Sequence, residues 1–267
     1  MSIKDILVHV DGDDGSALGL AISQARRFGA RLTGLFARNE THAPSVVATL
    51  PSEALLAAAE AAKRAFDAAT AGIETRWWQI ERGGPEQLVA EAVFCCHYVD
   101  LVVVGQSQRR GGRVPADFVE KLILLSGRPV LVVPPGGASA TVGRRVVIGW
   151  RSGKEAARAL HDSLPLMAGA EQVVVASVGR TGGLTDTTPR VDVVEHLRAH
   201  GLPVSGERFH IEDLGVMDAL LSRAYDLDCD LLVVGAHRGK ALSFGGKIGA
   251  GTRHILAHAG LPVLFAS

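Results

Sequence analysis

Only three cysteines, 5% aromatic residues and no net charge mark this chain of 267 residues. The cysteine count is odd, and the neighbours Cys95 and Cys96 cannot easily bridge each other. A disulfide scaffold is therefore excluded, and a reducing cytosol is expected. Lys and Arg total 28 against 28 Asp and Glu, which leaves no global basic field for nucleic acid or an anionic membrane. No apolar run approaches the roughly 18 residues of a membrane span. The start, Met1 to Ile6, lacks the basic and apolar regions of a signal peptide. These absences predict a soluble cytoplasmic protein with no nucleic-acid or membrane partner. What is present is ordinary: 47% hydrophobic and 21% charged residues, with length for one large or two smaller domains.

An internal repeat decides between one and two. Ile6 to Asp11 is echoed by Val146 to Arg151, Asp100 to Gly105 by Asp230 to Gly235, and Pro129 to Val133 by Pro262 to Ala266. The offsets are 140, 130 and 133 residues in the same order, so the chain reads as two homologous domains. The boundaries are 1–135 and 144–267, joined by a Pro/Gly/Ser linker at 136–143.

Within each half, apolar runs alternate with helical patterns, the signature of βαβ units in a parallel sheet. Strands are expected near 4–10, 31–37, 73–80, 100–105 and 129–133, then near 145–150, 172–178, 203–209, 230–235 and 262–266. Helices are expected at 52–71 in the first half and at 153–168, 188–200, 213–227 and 249–258 in the second. The fold class is α/β, two tandem doubly wound domains of five strands each. Ligands of such sheets bind at the carboxyl ends of the strands.

The loop after the fourth strand of the second half carries most chemical information. From Gly235 to Gly251 it holds six glycines, and from Leu231 to Ser267 there is no Asp or Glu. Arg238, Lys240, Lys247 and Arg253 supply positive charge, and the loop leads into a helix start. Such a start offers backbone N–H groups and a partial positive charge to phosphate. The competing reading is a glycine-rich connection that only permits close packing.

On these residues the chain resembles the universal stress protein family, specifically its tandem two-domain members, over essentially its whole length. The family's nucleotide motif is glycine, two residues, glycine, nine residues, then glycine and Ser or Thr. The second half shows Gly235, three residues, Gly239, nine residues, Gly249 and then Ala250. It therefore has one residue too many and an alanine where a hydroxyl would meet phosphate. A shifted register through Gly251 and Thr252 restores the hydroxyl and breaks the spacing; Thr252 is equally readable as the N-cap of the last helix. The first half has Pro115, Asp117 and Glu120 where a phosphate cradle would begin, and its Arg109 to Arg113 cluster reads as a solvated loop. It keeps the fold without the phosphate loop.

The family also places an Asp at the end of the first strand, near base and ribose. Asp11 stands there in the first half and Arg151 in the second. Arg151 cannot accept a hydrogen bond, but it can stack on a base or reach a phosphate; the alternative is a solvent-facing side chain.

The resemblance implies a stress-response protein of the adenine nucleotide alpha-hydrolase-like fold, binding ATP, with Mg, or a related adenine nucleotide in its C-terminal domain. The expected binding residues are Gly235, Arg238, Gly239, Lys240, Gly249, Ala250, Gly251, Thr252 and Arg151, with Ser177 and Val178 flanking the base. It also implies pairing of the last strands of the two halves as an intramolecular pseudo-dimer. A homodimer and an unidentified protein partner stay open.

The expected role is regulatory, with no catalytic residues, and the alternative is an interaction module of the same fold that binds no nucleotide. A slow ATPase or autophosphorylation is the third reading; the glycine segment offers no carboxylate as base, and His237 is the nearest candidate. No Gly-x-Gly-x-x-Gly follows either first strand, and no P-loop motif occurs. Asp11, Asp13 and Asp14 suggest the acidic pocket of a phosphoreceiver, but the third strand ends without an acceptor Asp. The ten histidines show no metal spacing: His254 and His258 share a helix face without a third ligand. Cys95 and Cys96 read as buried free thiols, and Cys229 is given no role.

Overall fold

The computed structural model describes residues 2–11, 15–39, 51–80, 84–106, 113–136, 141–179, 192–210, 215–237 and 247–267. The chain divides into two compact units, Met1–Ala140 and Thr141–Ser267.

In the first unit the strands are β1 (Asp5–Val10), β2 (Arg31–Phe36), β3 (Thr75–Gln79), β4 (Leu101–Gly105) and β5 (Val130–Val133). Their order is β3-β2-β1-β4-β5, with the pairs parallel. The helices are α1 (Gly15–Phe28), α2 (Glu53–Ala69), α3 (Pro85–Cys96) and α4 (Phe118–Leu125). Each central strand is a Val/Leu run buried along its length, as expected where helices cover both faces. Local chemistry sets the helix starts. Ser52 caps α2 by accepting from the Leu55 N–H at 3.2 Å, and Pro85 opens α3, where its missing N–H costs nothing.

The second unit repeats the plan. Its strands β6 (Arg145–Gly149), β7 (Gln172–Gly179), β8 (Val204–His210), β9 (Leu231–Gly235) and β10 (Val263–Ala266) are ordered β8-β7-β6-β9-β10 and parallel. Its helices are α5 (Lys154–Ser163), α6 (Val193–Ala199), α7 (Val216–Asp226) and α8 (Ala250–His258). Helix α5 stops short of the expected residue 168 because Pro165 has no N–H to continue the ladder. Helix α6 begins at Val193 with Asp192 as its cap, the Val194 N–H donating at 2.8 Å. The expected helical residues 188–191 lie outside the described residues.

Register shows how far the repeat extends. Val8 pairs with Gly34 and Val103, and Ile148 with Val175 and Val233. The chain beyond them continues to Asp11 and Arg151, which are thus equivalent positions. The amino ends also match. Asp100 accepts the N–H groups of Lys4 and Asp5 at 2.7 and 3.1 Å. Asp230 accepts those of Gly143, Arg144 and Arg145 at 2.9 to 3.2 Å. The acid that opens each repeated strand motif therefore pins the start of the neighbouring first strand. Left-handed glycines recur as well between first helix and second strand: Gly29, two residues before β2, at φ +58°, and Gly169, three before β7, at φ +82°.

The packing between second and third strands is complementary. In the first unit Gly34 faces Trp77, whose ring would lie 2.7 Å from a Cβ there; Phe66 and Phe36 complete the aromatic cluster. In the second unit Val175 occupies the equivalent place and pairs with Gly206. One pair puts bulk on the outer strand, the other on the inner.

Candidate functional site

In each unit the first strand has a neighbour on either side, reached by crossovers in opposite directions. That reversal opens a crevice at the carboxyl ends of the strands. In the second unit it lies beyond β6 and β9, whose last paired residues are Gly149 and Val234. Arg151 follows β6, Gly235 to His237 follow β9, and Ser177 continues β7 one residue past Ala176, the partner of Gly149. The topology thus gathers at one sheet edge residues far apart in sequence.

His237 is the centre of this edge. Its Nδ1 is 3.2 Å from Glu155 Oε2, and its Nε2 is 3.2 Å from an Arg151 guanidinium nitrogen. Its carbonyl accepts the Gly249 N–H at 2.8 Å, which ties the strand end to the start of α8. Glu155 lies in the first turn of α5, where the helix dipole favours a carboxylate, and its side chain is only 16% exposed. Lys154 reaches the other Glu155 oxygen at 3.8 Å from the solvent side. The site is thus a line of three groups: arginine, imidazole, carboxylate.

The expected binding residues divide into three groups. Arg151 sits at the edge, its side chain toward His237. Ser177 is half-buried on β7; the backbone of Val178 continues that strand, and its side chain lies outside the described residues. Arg238, Gly239 and Lys240 also lie outside them.

The remaining glycines have structural tasks. A Cβ at Gly235 would meet the Ala156 nitrogen at 2.5 Å and the Glu155 carbonyl carbon at 2.6 Å, so this glycine lets α5 press against β9. Gly251 faces Met217 on α7, 3.0 Å from a Cβ built there. Gly249 is the N-cap of α8, and its N–H is committed to His237. Thr252 is not the cap but a buried residue of the first turn. The N–H groups of Ala250, Gly251 and Thr252 belong to the turn that an α-helix leaves without intrahelical partners.

Glu155 is the residue that sequence reasoning missed. The glycine segment has no carboxylate of its own, but α5 brings one to it. A signal was available: Arg151 and Glu155 stand four apart, where the first unit has Asp11 and Gly15.

The corresponding edge of the first unit is filled differently. Asp11 is buried, His9 Nε2 donates to the Ala37 carbonyl at 2.8 Å, and its ring lies 4.8 Å from that of Phe118. Phe118, at the start of α4, precedes β5 by as many residues as Gly251 precedes β10. His9 matches Gly149. In the second unit Leu220 and Met217 of α7 approach these two glycines instead.

Elsewhere, His161, His196 and His200 bring their rings within 4.9 to 6.3 Å of one another, and His254 stacks on His258 at 4.3 Å while contacting Asp218 at 2.6 Å. Among the described residues, no group of three or more His, Cys, Asp or Glu is arranged to hold a metal ion. Cys96 is buried as expected, whereas Cys95 is only half-buried, a correction to that expectation; Cys229 is half-buried too. Among the described residues no helix is long and apolar enough to cross a membrane.

The universal stress protein family model matches residues 2–134. A universal stress protein structure from Archaeoglobus fulgidus DSM 4304 superposes with a TM-score of 0.72 at 14% identity, covering 98% of each chain. A functionally unknown protein from Pseudomonas aeruginosa PAO1 gives 0.65 at 18% identity, covering 99% of this chain and 92% of that one. No curated protein matches the chain. With the family model on the first unit and the same strand order repeated in the second, the chain belongs to the universal stress protein family.

Proposed function

We propose that the chain is a regulatory stress-response protein of the cytoplasm that binds one adenine nucleotide, ATP or a relative, at the carboxyl ends of β6 and β9. The observation that carries this reading is the meeting of Arg151 and His237 with the start of α8 at the strand-order reversal. Phosphate oxygens would take the guanidinium and the N–H groups of Ala250, Gly251 and Thr252. Arg238, Gly239 and Lys240 complete the proposed set of phosphate-binding residues, and Ser177 and Val178 would flank the base. The role assigned is binding without turnover. The first domain, 1–135, is the structural partner, its own crevice occupied by His9 and Phe118.

The deciding experiment is calorimetric titration of nucleotide-free full-length protein with Mg-ATP. A stoichiometry near one per chain, with affinity reduced about tenfold or more in Arg151→Ala, supports the reading; loss of one hydrogen bond to a charged group is worth about 1.5–3 kcal/mol. Two per chain overturns the assignment of an empty first domain. No binding at millimolar ATP overturns the nucleotide reading. It would favour an interaction module, for which the Glu155 carboxylate beside the crevice already speaks, since it repels phosphate.

A further inference from the structure

We infer that Arg151 and His237 form an anion-binding fork that takes up a proton when it closes on phosphate, with Glu155 holding the resulting imidazolium. The ligand is a tetrahedral oxyanion. The inference rests on the nucleotide reading only in that a nucleotide would supply the phosphate.

Hydrogen-bond polarity fixes the starting state. A guanidinium has five donors and no acceptor. In its contact with His237 Nε2, 3.2 Å long, arginine must donate and the ring nitrogen must accept. Nε2 therefore carries no proton. At the other side of the ring Glu155 accepts, so Nδ1 carries one. Its two neighbours thus select one neutral tautomer of His237. The groups facing the ring among the described residues are Arg151 beyond β6 and Glu155 on α5, with Lys154 behind the carboxylate. The backbone does not shift the ring: the Gly249 N–H holds the His237 carbonyl.

Phosphate changes this balance. Its oxygens accept hydrogen bonds and compete for the Arg151 donors, so the Arg151–His237 bond breaks. The Nε2 lone pair then faces an oxyanion, two acceptors without a proton between them. A proton from solvent added to Nε2 removes the repulsion, forms an N–H···O bond to phosphate and leaves a charge-assisted Nδ1–H···Glu155 bond. No other bond is made or broken. Before binding, arginine and histidine satisfy each other; after binding, both point at the anion. Glu155, repulsive to phosphate when alone, becomes the counter-charge that makes the imidazolium stable.

The test is calorimetry of the full-length protein with ATP at pH 7.5, in two buffers of different ionisation enthalpy. Dependence of the observed heat on buffer enthalpy gives the protons taken up. The expected value approaches one proton per ATP, the one that Nε2 takes up. It falls to near zero in His237→Asn and is reduced in Glu155→Gln. Binding with the same heat in both buffers overturns the inference, as does uptake unchanged in His237→Asn.

If ATP does not bind, the nucleotide reading fails, and inorganic phosphate becomes the probe. The ring nitrogens of His237 are then followed by ¹⁵N NMR. Protonation of Nε2 on adding phosphate, absent with chloride at equal ionic strength, supports the fork without the nucleotide. An unchanged ring overturns the fork too.

Discussion

Asp11 and Arg151 occupy the same place on the same strand of the same fold, and they carry opposite charge. Around Asp11 the chain has placed Gly15 at the next helix start and a packed His9–Phe118 pair behind the strand end. Around Arg151 it has placed Glu155 and His237, with glycines at the positions of His9 and Phe118. The amino ends of the same strands are alike: Asp100 and Asp230 hold the first strand's backbone in both units. The difference teaches where this fold tolerates change. The end that sets register is the same twice, and the carboxyl end has been rebuilt.

The largest way to break the comparison is Phe118→Ala, which makes the first unit resemble the second at the start of α4. Phe118 is fully buried, and truncation of such a ring costs about 3–5 kcal/mol. The three tryptophans separate the units, since Trp77 and Trp78 lie in the first and Trp150 in the second. Urea unfolding followed by tryptophan emission should show a transition shifted to lower denaturant, dominated by the Trp77 and Trp78 signal. A variant as stable as the parent would show that the aromatic filling is dispensable.

The next effect sharpens the likeness. Asp230→Ala strands three backbone N–H groups and Asp100→Ala two. Each substitution should cost about 1–3 kcal/mol, with the larger loss at Asp230. Equal unfolding midpoints for parent and both variants would remove the pinning role.

The smallest effect is alkaline. Burial pushes the Cys96 thiol far above its ordinary range, with the neighbouring Cys95 adding to it, and burial pushes Cys229 to about 11. In the unfolded chain these thiols ionise at their ordinary value, while in the folded chain they keep the proton. Stability is therefore fully present below that value and falls as pH rises past it. For Cys96 the loss is about 1.4 kcal/mol per pH unit above pH ~8.5. Urea midpoints between pH 8 and pH 10 should fall less steeply in Cys96→Ala. An unchanged slope would mean that ionisation elsewhere governs the alkaline limb.

Strand positions, the repeat and the fold class were legible because the inner strands are buried apolar runs and the fourth strand of each half is preceded by an acid. The importance of Asp100 and Asp230 was visible as a recurring letter; their task, accepting main-chain N–H groups, needed the sheet to be assembled. The site was half legible. Arg151 and the glycines at 235, 249 and 251 announced themselves by type and spacing, yet packing explains Gly235 and Gly251 on this structure. Glu155 escaped because its partner His237 comes from another strand: Arg151 and His237 are 86 residues apart. Only the parallel pairing of β6 with β9 brings them together.

The paired aspartates at the amino ends have a consequence for redesign. Because one carboxylate on each fourth strand sets the alignment of its neighbour, the opposite rim is released from that duty. Side chains there can be exchanged, even with inversion of charge, without the strands slipping past one another. A copied domain with this fixed hem and open collar can acquire a new binding chemistry one rim at a time.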